Sequence, residues 1–205
     1  EDRIKEIPVR RFTRPQIAEL IHSMLQLEEI PTPFLDRLEE RTSGNPLFIV
    51  ETLKSLQEEG IIARDGDSWR IRSDGDLSRI EIPHGSEAIL LRRVRMLDPQ
   101  HQRILEAMSV HDKPMSSKLL ERLSDFARVN VLVSLRELEN RGMVAKALDN
   151  GRLQFAISQP KLREILYHNI PAERCSSLHG ALASAMLSEH DGNQEGIIED
   201  LAFHY

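Results

Sequence analysis

Apolar positions recur at helical spacing along most of the chain. Ile17, Leu20, Ile21, Met24 and Leu25 lie at offsets 0, 3, 4, 7 and 8, one face of a helix that Thr13 caps and Pro15 opens. A second helix is predicted from Thr32-Pro33 through Phe34, Leu35 and Leu38, stopping at Ser43-Gly44. Asn45-Pro46 restarts the chain with a cap and a first-turn proline, and the third helix runs to Glu58 before Gly60. The period then shortens. Ile61–Arg64 and Ser68–Ile71 flank Asp65-Gly66, a hairpin signal. A polar loop over 73–81 and Ile82-Pro83-His84-Gly85 lead to a helix carrying Leu90, Leu91, Val94 and Leu97. Ile4–Val9 reads as a short strand.

From Asp98-Pro99 onward the pattern predicts shorter helices over 99–109, 116–123 and 126–141, the last ending at Gly142. Val144–Leu148 and Leu153–Ile157 around Asp149-Asn150-Gly151 form a second hairpin signal. Three helices followed by a hairpin is the order of a winged helix. Further helices are predicted over 160–169, 172–188 and 195–205, with Cys175, Leu178, Leu182 and Met186 on one face. The expected fold is mainly α. Residues 1–82 form a helical lid-like subdomain, 83–159 a winged helix, and 160–205 the start of a helical repeat of tetratricopeptide type.

Composition narrows the function. Of 205 residues, 40% are hydrophobic but only 4% aromatic, so aliphatic side chains must build the core. No run of about 18 apolar residues marks a membrane span, and the N-terminus lacks the apolar region of a signal peptide. The one cysteine, Cys175, cannot form an internal disulfide and agrees with a reducing, cytoplasmic setting. The net charge of −6 disfavours a general nucleic-acid coat.

The stretch Thr42-Ser43-Gly44-Asn45-Pro46-Leu47-Phe48-Ile49-Val50-Glu51 resembles the "GNPLF-(V/I)-E" segment of bacterial STAND-type signalling ATPases. These AAA-related P-loop regulators include large LuxR-type transcription activators and modules attached to protein kinases and cyclases. Leu56-Gln57-Glu58-Glu59-Gly60 is similar to their "L-x-E-x-G", Trp69 to their usual Trp, and Ile82-Pro83 to the "vP" before a helix that bears Arg93. Arg163-Glu164-Ile165-Leu166-Tyr167 is similar to "RE-x-x-Y", Arg174 with Leu178-His179 to "RR-x-x-LH", and Leu201-Ala202 with His204-Tyr205 to "LA-x-HY". The resemblance covers most of the chain in the right order. It implies an ATPase core before Glu1, because no G-x-x-x-x-G-K-S/T is present here. ATP or ADP would then be the cofactor of the parent protein, with no cofactor and no catalysis in this segment alone. The implied partners are that core and an inducer, protein or small molecule, on the repeats.

The resemblance implies site residues too. Pro46, at the start of a lid helix, would lay its flat apolar ring against adenine, with Gly44 and Asn45 shaping the turn. In the family a winged-helix histidine faces the bound diphosphate. Gln159 occupies that place, four residues before Arg163. Glutamine donates a hydrogen bond but brings no charge, so a phosphate contact there is weaker, and helix capping by Gln159 ahead of Pro160 is the plainer reading.

Two other functions stand beside the nucleotide-dependent switch. One is a DNA-binding transcription regulator, with Arg136 on the third winged-helix helix and Lys146 and Arg152 on the wing as contacts. Residues 98–157 hold nine basic and eight acidic side chains, and Glu137 and Glu139 would face phosphates, so DNA is disfavoured. The other is a non-catalytic adaptor. Eight histidines show no metal-ligand spacing, and Cys175 reads as a core thiol. His179 reads as a structural histidine, and Glu58-Glu59 as a solvated helix end.

Overall fold

The computed structural model describes residues 10–27, 29–66, 68–71, 82–83, 85–149 and 151–189. The expected strand Ile4–Val9, the loop 73–81, the last helix and the motif at Leu201–Tyr205 lie outside them. Among the described residues the protein is mainly α, with nine helices and two antiparallel hairpins. Contacts divide the chain into two compact units, Glu1–Arg93 and Val94–Tyr205.

In the first unit, α1 (Arg14–Leu25), α2 (Thr32–Thr42) and α3 (Pro46–Glu58) pack through the faces that the apolar period marks. Ile17, Ile21, Leu25, Leu38, Ile49, Leu53 and Leu56 are buried in one cluster with Ile62 and Ile82. The entrance to α1 is tied locally, the Thr13 backbone N–H donating to Gln16 Oε1 at 2.9 Å. Gln26, in the left-handed region at φ 49°, ends the helix. β1 (Ile62–Asp65) and β2 (Ser68–Ile71) pair with Ile62 opposite Ile71. The Arg64 guanidinium lies 5.6 Å from the Trp69 ring centroid, a cation–π contact across the hairpin.

α4 (Gly85–Arg95) brings Arg92 and Arg93 to α3. Arg93 is 1% exposed, and its guanidinium donates to Glu51 and to Glu58, the latter at 2.8 Å, while Arg92 pairs with Glu59. Glu58 and Glu59 are therefore not the solvated helix end expected from their sequence. Their side chains keep 14% and 13% of their surface. An acid-rich helix end looks solvated when the cations that cover it come from over 30 residues away.

In the second unit, α5 (Pro99–Ser109), α6 (Ser117–Ser124) and α7 (Arg128–Asn140) pack on one another and lead to the hairpin β3 (Val144–Asp149) and β4 (Arg152–Ile157). Met115 adds a single bridge beside β4. It exchanges two backbone hydrogen bonds of 2.8 Å with Phe155. Three helices followed by a hairpin is the element order that the sequence pattern predicts. A single bridged residue has no period, which is why the sequence does not reveal it. α8 (Pro160–Asn169) packs on α5, and α9 (Ala172–Glu189) on α6, burying Leu178, Leu182, Ala183 and Ala185.

Candidate functional site

The turn from α2 to α3 is the most specific local feature of the first unit. Ser43 and Gly44 both take left-handed backbone, at φ 48° and 70°. This reverses the chain, and the Asn45 N–H returns a hydrogen bond to the Thr42 carbonyl at 3.0 Å. Asn45 then caps α3, its side-chain oxygen accepting from the Leu47 N–H at 3.0 Å. Pro46 sits at the first helical position, where its missing N–H costs nothing, and its ring is half-buried.

A second segment closes on this turn. The Phe12 N–H donates to the Gly44 carbonyl at 2.7 Å, and Arg11 Nη1 donates to the Ser43 carbonyl at 3.0 Å. A Cβ on Gly44 would lie 2.3 Å from the Phe12 carbonyl oxygen. Glycine is thus required twice, for its φ and for the approach of another backbone. A glycine at the helix stop Ser43-Gly44 signals the first reason. The second needs residues 32 positions apart.

The other residues singled out lie in the second unit. Gln159 is the N-cap position of α8, with Pro160 next, and its side chain makes no cap bond. Its carbonyl accepts from the Arg163 N–H at 3.2 Å, one turn on. On the wing and α7, Arg136 is exposed and Lys146 is tied to Glu139 at 2.7 Å. Arg152 is brought instead to a cleft shared with Lys113, Lys118 and Arg128. The outward face of α7 carries Val129 (70% exposed), Leu132 and Val133 (60%) where a DNA reader needs polar side chains.

Two clusters escaped the sequence reading. One is the buried set of Arg93, Glu51 and Glu58. Burial alone would lower the Arg93 pKa, but hydrogen bonds to Glu58 and the charges of Glu51 and Glu58 outweigh it and hold it above its usual value. The other joins α8 to α9. Tyr167 Oη lies 3.1 Å from His179 Nε2, with their rings edge to face. A hydrogen bond with the Cys175 thiol, helped by burial, pushes the Tyr167 phenol up. Cys175 itself is half-buried rather than sealed in the core.

Burial lowers the His179 pKa below the ordinary value. An imidazole held down in this way adds stability above about pH 6.5, and that contribution is lost as pH falls through its depressed value. The urea midpoint is therefore expected to fall more steeply from about pH 7.5 to about pH 5 in the native protein than in His179→Gln. Parallel curves would remove His179 from the acid response.

Among the described residues no group of three or more His, Cys, Asp or Glu could hold a metal ion, and no helix is long and apolar enough to cross a membrane. The family model of a domain of unknown function (DUF8739) matches residues 13–70, the three-helix and hairpin part of the first unit. No curated protein matches the chain in sequence. Among solved structures, a Signal Transduction ATPase with Numerous Domains (STAND) protein with a tetratricopeptide repeat sensor, from Pyrococcus horikoshii, is similar in fold, with a TM-score of 0.50 and 14% identity. The match covers 88% of this chain and 22% of that one. The chain thus spans about a fifth of its structural neighbour, and the likeness concerns fold alone.

Proposed function

We propose that the chain is the lid and winged-helix part of a nucleotide-dependent regulatory switch, joining a P-loop ATPase core to a helical-repeat sensor. The observation that carries this reading is the turn at Gly44-Asn45-Pro46. A capped helix start presents a half-exposed proline ring, and the turn is bonded to the segment entering α1. A base stacked on Pro46 would therefore be felt by α1 and α2 through Phe12 and Ser43. The similarity in fold to a STAND protein supports the same architecture. Such a switch moves only as far as ADP and ATP differ in affinity for its two states.

The test is fluorescent ADP titrated into the full-length protein and its Pro46→Glu variant. Glutamate suits a helix N-terminus electrostatically, so the helix persists while the flat ring is lost. About tenfold weaker ADP binding is expected in the variant. Equal affinity would overturn the assignment of Pro46 to the base.

Transcription regulation through DNA is the weaker reading. The ion pair of Lys146 with Glu139 and the apolar outer face of α7 both count against it.

A further inference from the structure

We propose that the outward face of α7 docks an amphipathic helix of a partner protein, one whose apolar stripe is flanked by carboxylates. The face lies wholly within the second unit, so the inference does not depend on the reading of the α2–α3 turn.

Val129, Leu132, Val133 and Arg136 fall at offsets 0, 3, 4 and 7, one line along the helix. Val131, Ser134, Leu135 and Leu138 hold the opposite side and are buried. α7 is therefore apolar on two faces, and the core of its own unit covers one of them. On the other, Val129 and Val133 are more than half exposed and Leu132 is 43% exposed. Apolar side chains scattered singly over a surface need no explanation. Three neighbours on one helix face form a contiguous patch, the feature that marks an interaction site. The aliphatic stem of Arg136 prolongs the patch by a turn.

The charges around the patch select its occupant. Arg136 lies in line with the patch and Arg128 on its margin; both are exposed, and neither has an ion pair among the described residues. The acids of the same helix are engaged elsewhere, Glu137 with Arg141 at 2.8 Å and Glu139 with Lys146 at 2.7 Å. The charge left at the patch is positive, and its complement is an apolar stripe with carboxylates beside it. A second copy of α7 does not supply that. Laid antiparallel about Leu132 and Val133, it would set Arg136 against the other copy's Arg128 and Val129. Laid parallel, it would set each arginine against its equal. Both arrangements bring like charges together. A nucleic-acid duplex offers anions without the apolar stripe.

A helix suits this face better than an extended segment. The side chains of α7 stand in rows that a second helix can interlock with, and that helix satisfies its own backbone. An extended segment would turn N–H and C=O groups onto aliphatic side chains that offer them no partner. α7 packs on α5, α6 and β3, so the face is held in place and docking there orders little of the protein.

The test uses two dye-labelled helical peptides of about 18 residues, both with leucines repeating at helical spacing. One carries glutamates beside the leucines and the other lysines. The full chain is titrated into each at low salt, about 50 mM, and binding is read from the anisotropy of the dye. Saturable one-to-one binding of the glutamate peptide is expected, at least about threefold tighter than that of the lysine peptide. Val129→Ser/Val133→Ser should weaken it about tenfold, and Arg128→Glu/Arg136→Glu should reverse the preference between the peptides. All four side chains are exposed, so the fold is retained, which the urea midpoint verifies. No binding, equal binding of the two peptides, or unchanged binding by the valine variant overturns the proposal. Dimers of the protein that Val129→Ser/Val133→Ser dissolves overturn it in favour of a second copy. Binding that appears only after residues 190–205 are removed overturns it in favour of the chain's own C-terminal segment, and displacement of the peptide by a short DNA duplex in favour of nucleic acid.

Discussion

Replacing Arg93 with methionine is expected to destabilise the first unit by about 3–5 kcal/mol, the usual cost of removing one partner from a buried ion pair. Glu51 is 1% exposed and receives Arg93 Nη1 and, at 3.2 Å, Lys54 Nζ. Without Arg93 its buried charge loses that donor, while the part-buried Lys54 stays beside it. Glu58 loses donors at 2.8 and 3.2 Å but lies nearer solvent and can rehydrate. The loss should therefore fall mainly on Glu51. Urea unfolding of Arg93→Met, Glu51→Leu and the double variant checks this. The double variant is expected to recover most of the stability, because it buries two apolar side chains in place of two charges. A loss below about 1 kcal/mol in Arg93→Met would mean that water already solvates the cluster.

Gly44→Ala should be the most damaging exchange of a glycine, at about 2–4 kcal/mol. The left-handed φ alone costs an alanine about 1–2 kcal/mol. At Gly44 the new methyl would also lie 2.3 Å from the Phe12 carbonyl oxygen, a backbone atom without a rotamer to retreat into. The segment must shift, which breaks the Phe12–Gly44 hydrogen bond. Gly60 is the built-in control, with φ +71° and nothing within 4 Å of its Cβ. Gly60→Ala should show the strain by itself. The difference between the two unfolding free energies then measures the contact with Phe12. Equal losses would mean that this contact contributes nothing to stability.

The two variants mark where the sequence ran out. Ser43-Gly44-Asn45-Pro46 announces a left-handed turn, a cap and a helix start through local chemistry, and the structure has all three. That Phe12 packs its backbone on the same turn is written nowhere near it. Arg93 looks like one more charged residue in a helix, and Glu58-Glu59 like a helix end facing water. Their burial depends on a pairing between α3 and α4 more than 30 residues apart.

Among the described residues, then, the sequence by itself determined the helices, both hairpins and their order, because apolar period, caps and turn residues act within a few positions of one another. It also determined the shape of the α2–α3 turn. Only the tertiary structure decided which charges are buried and which backbone closes on Gly44. Those properties arise between residues distant in the chain, where the energy of a pair depends on solvent exclusion and distance rather than on residue type.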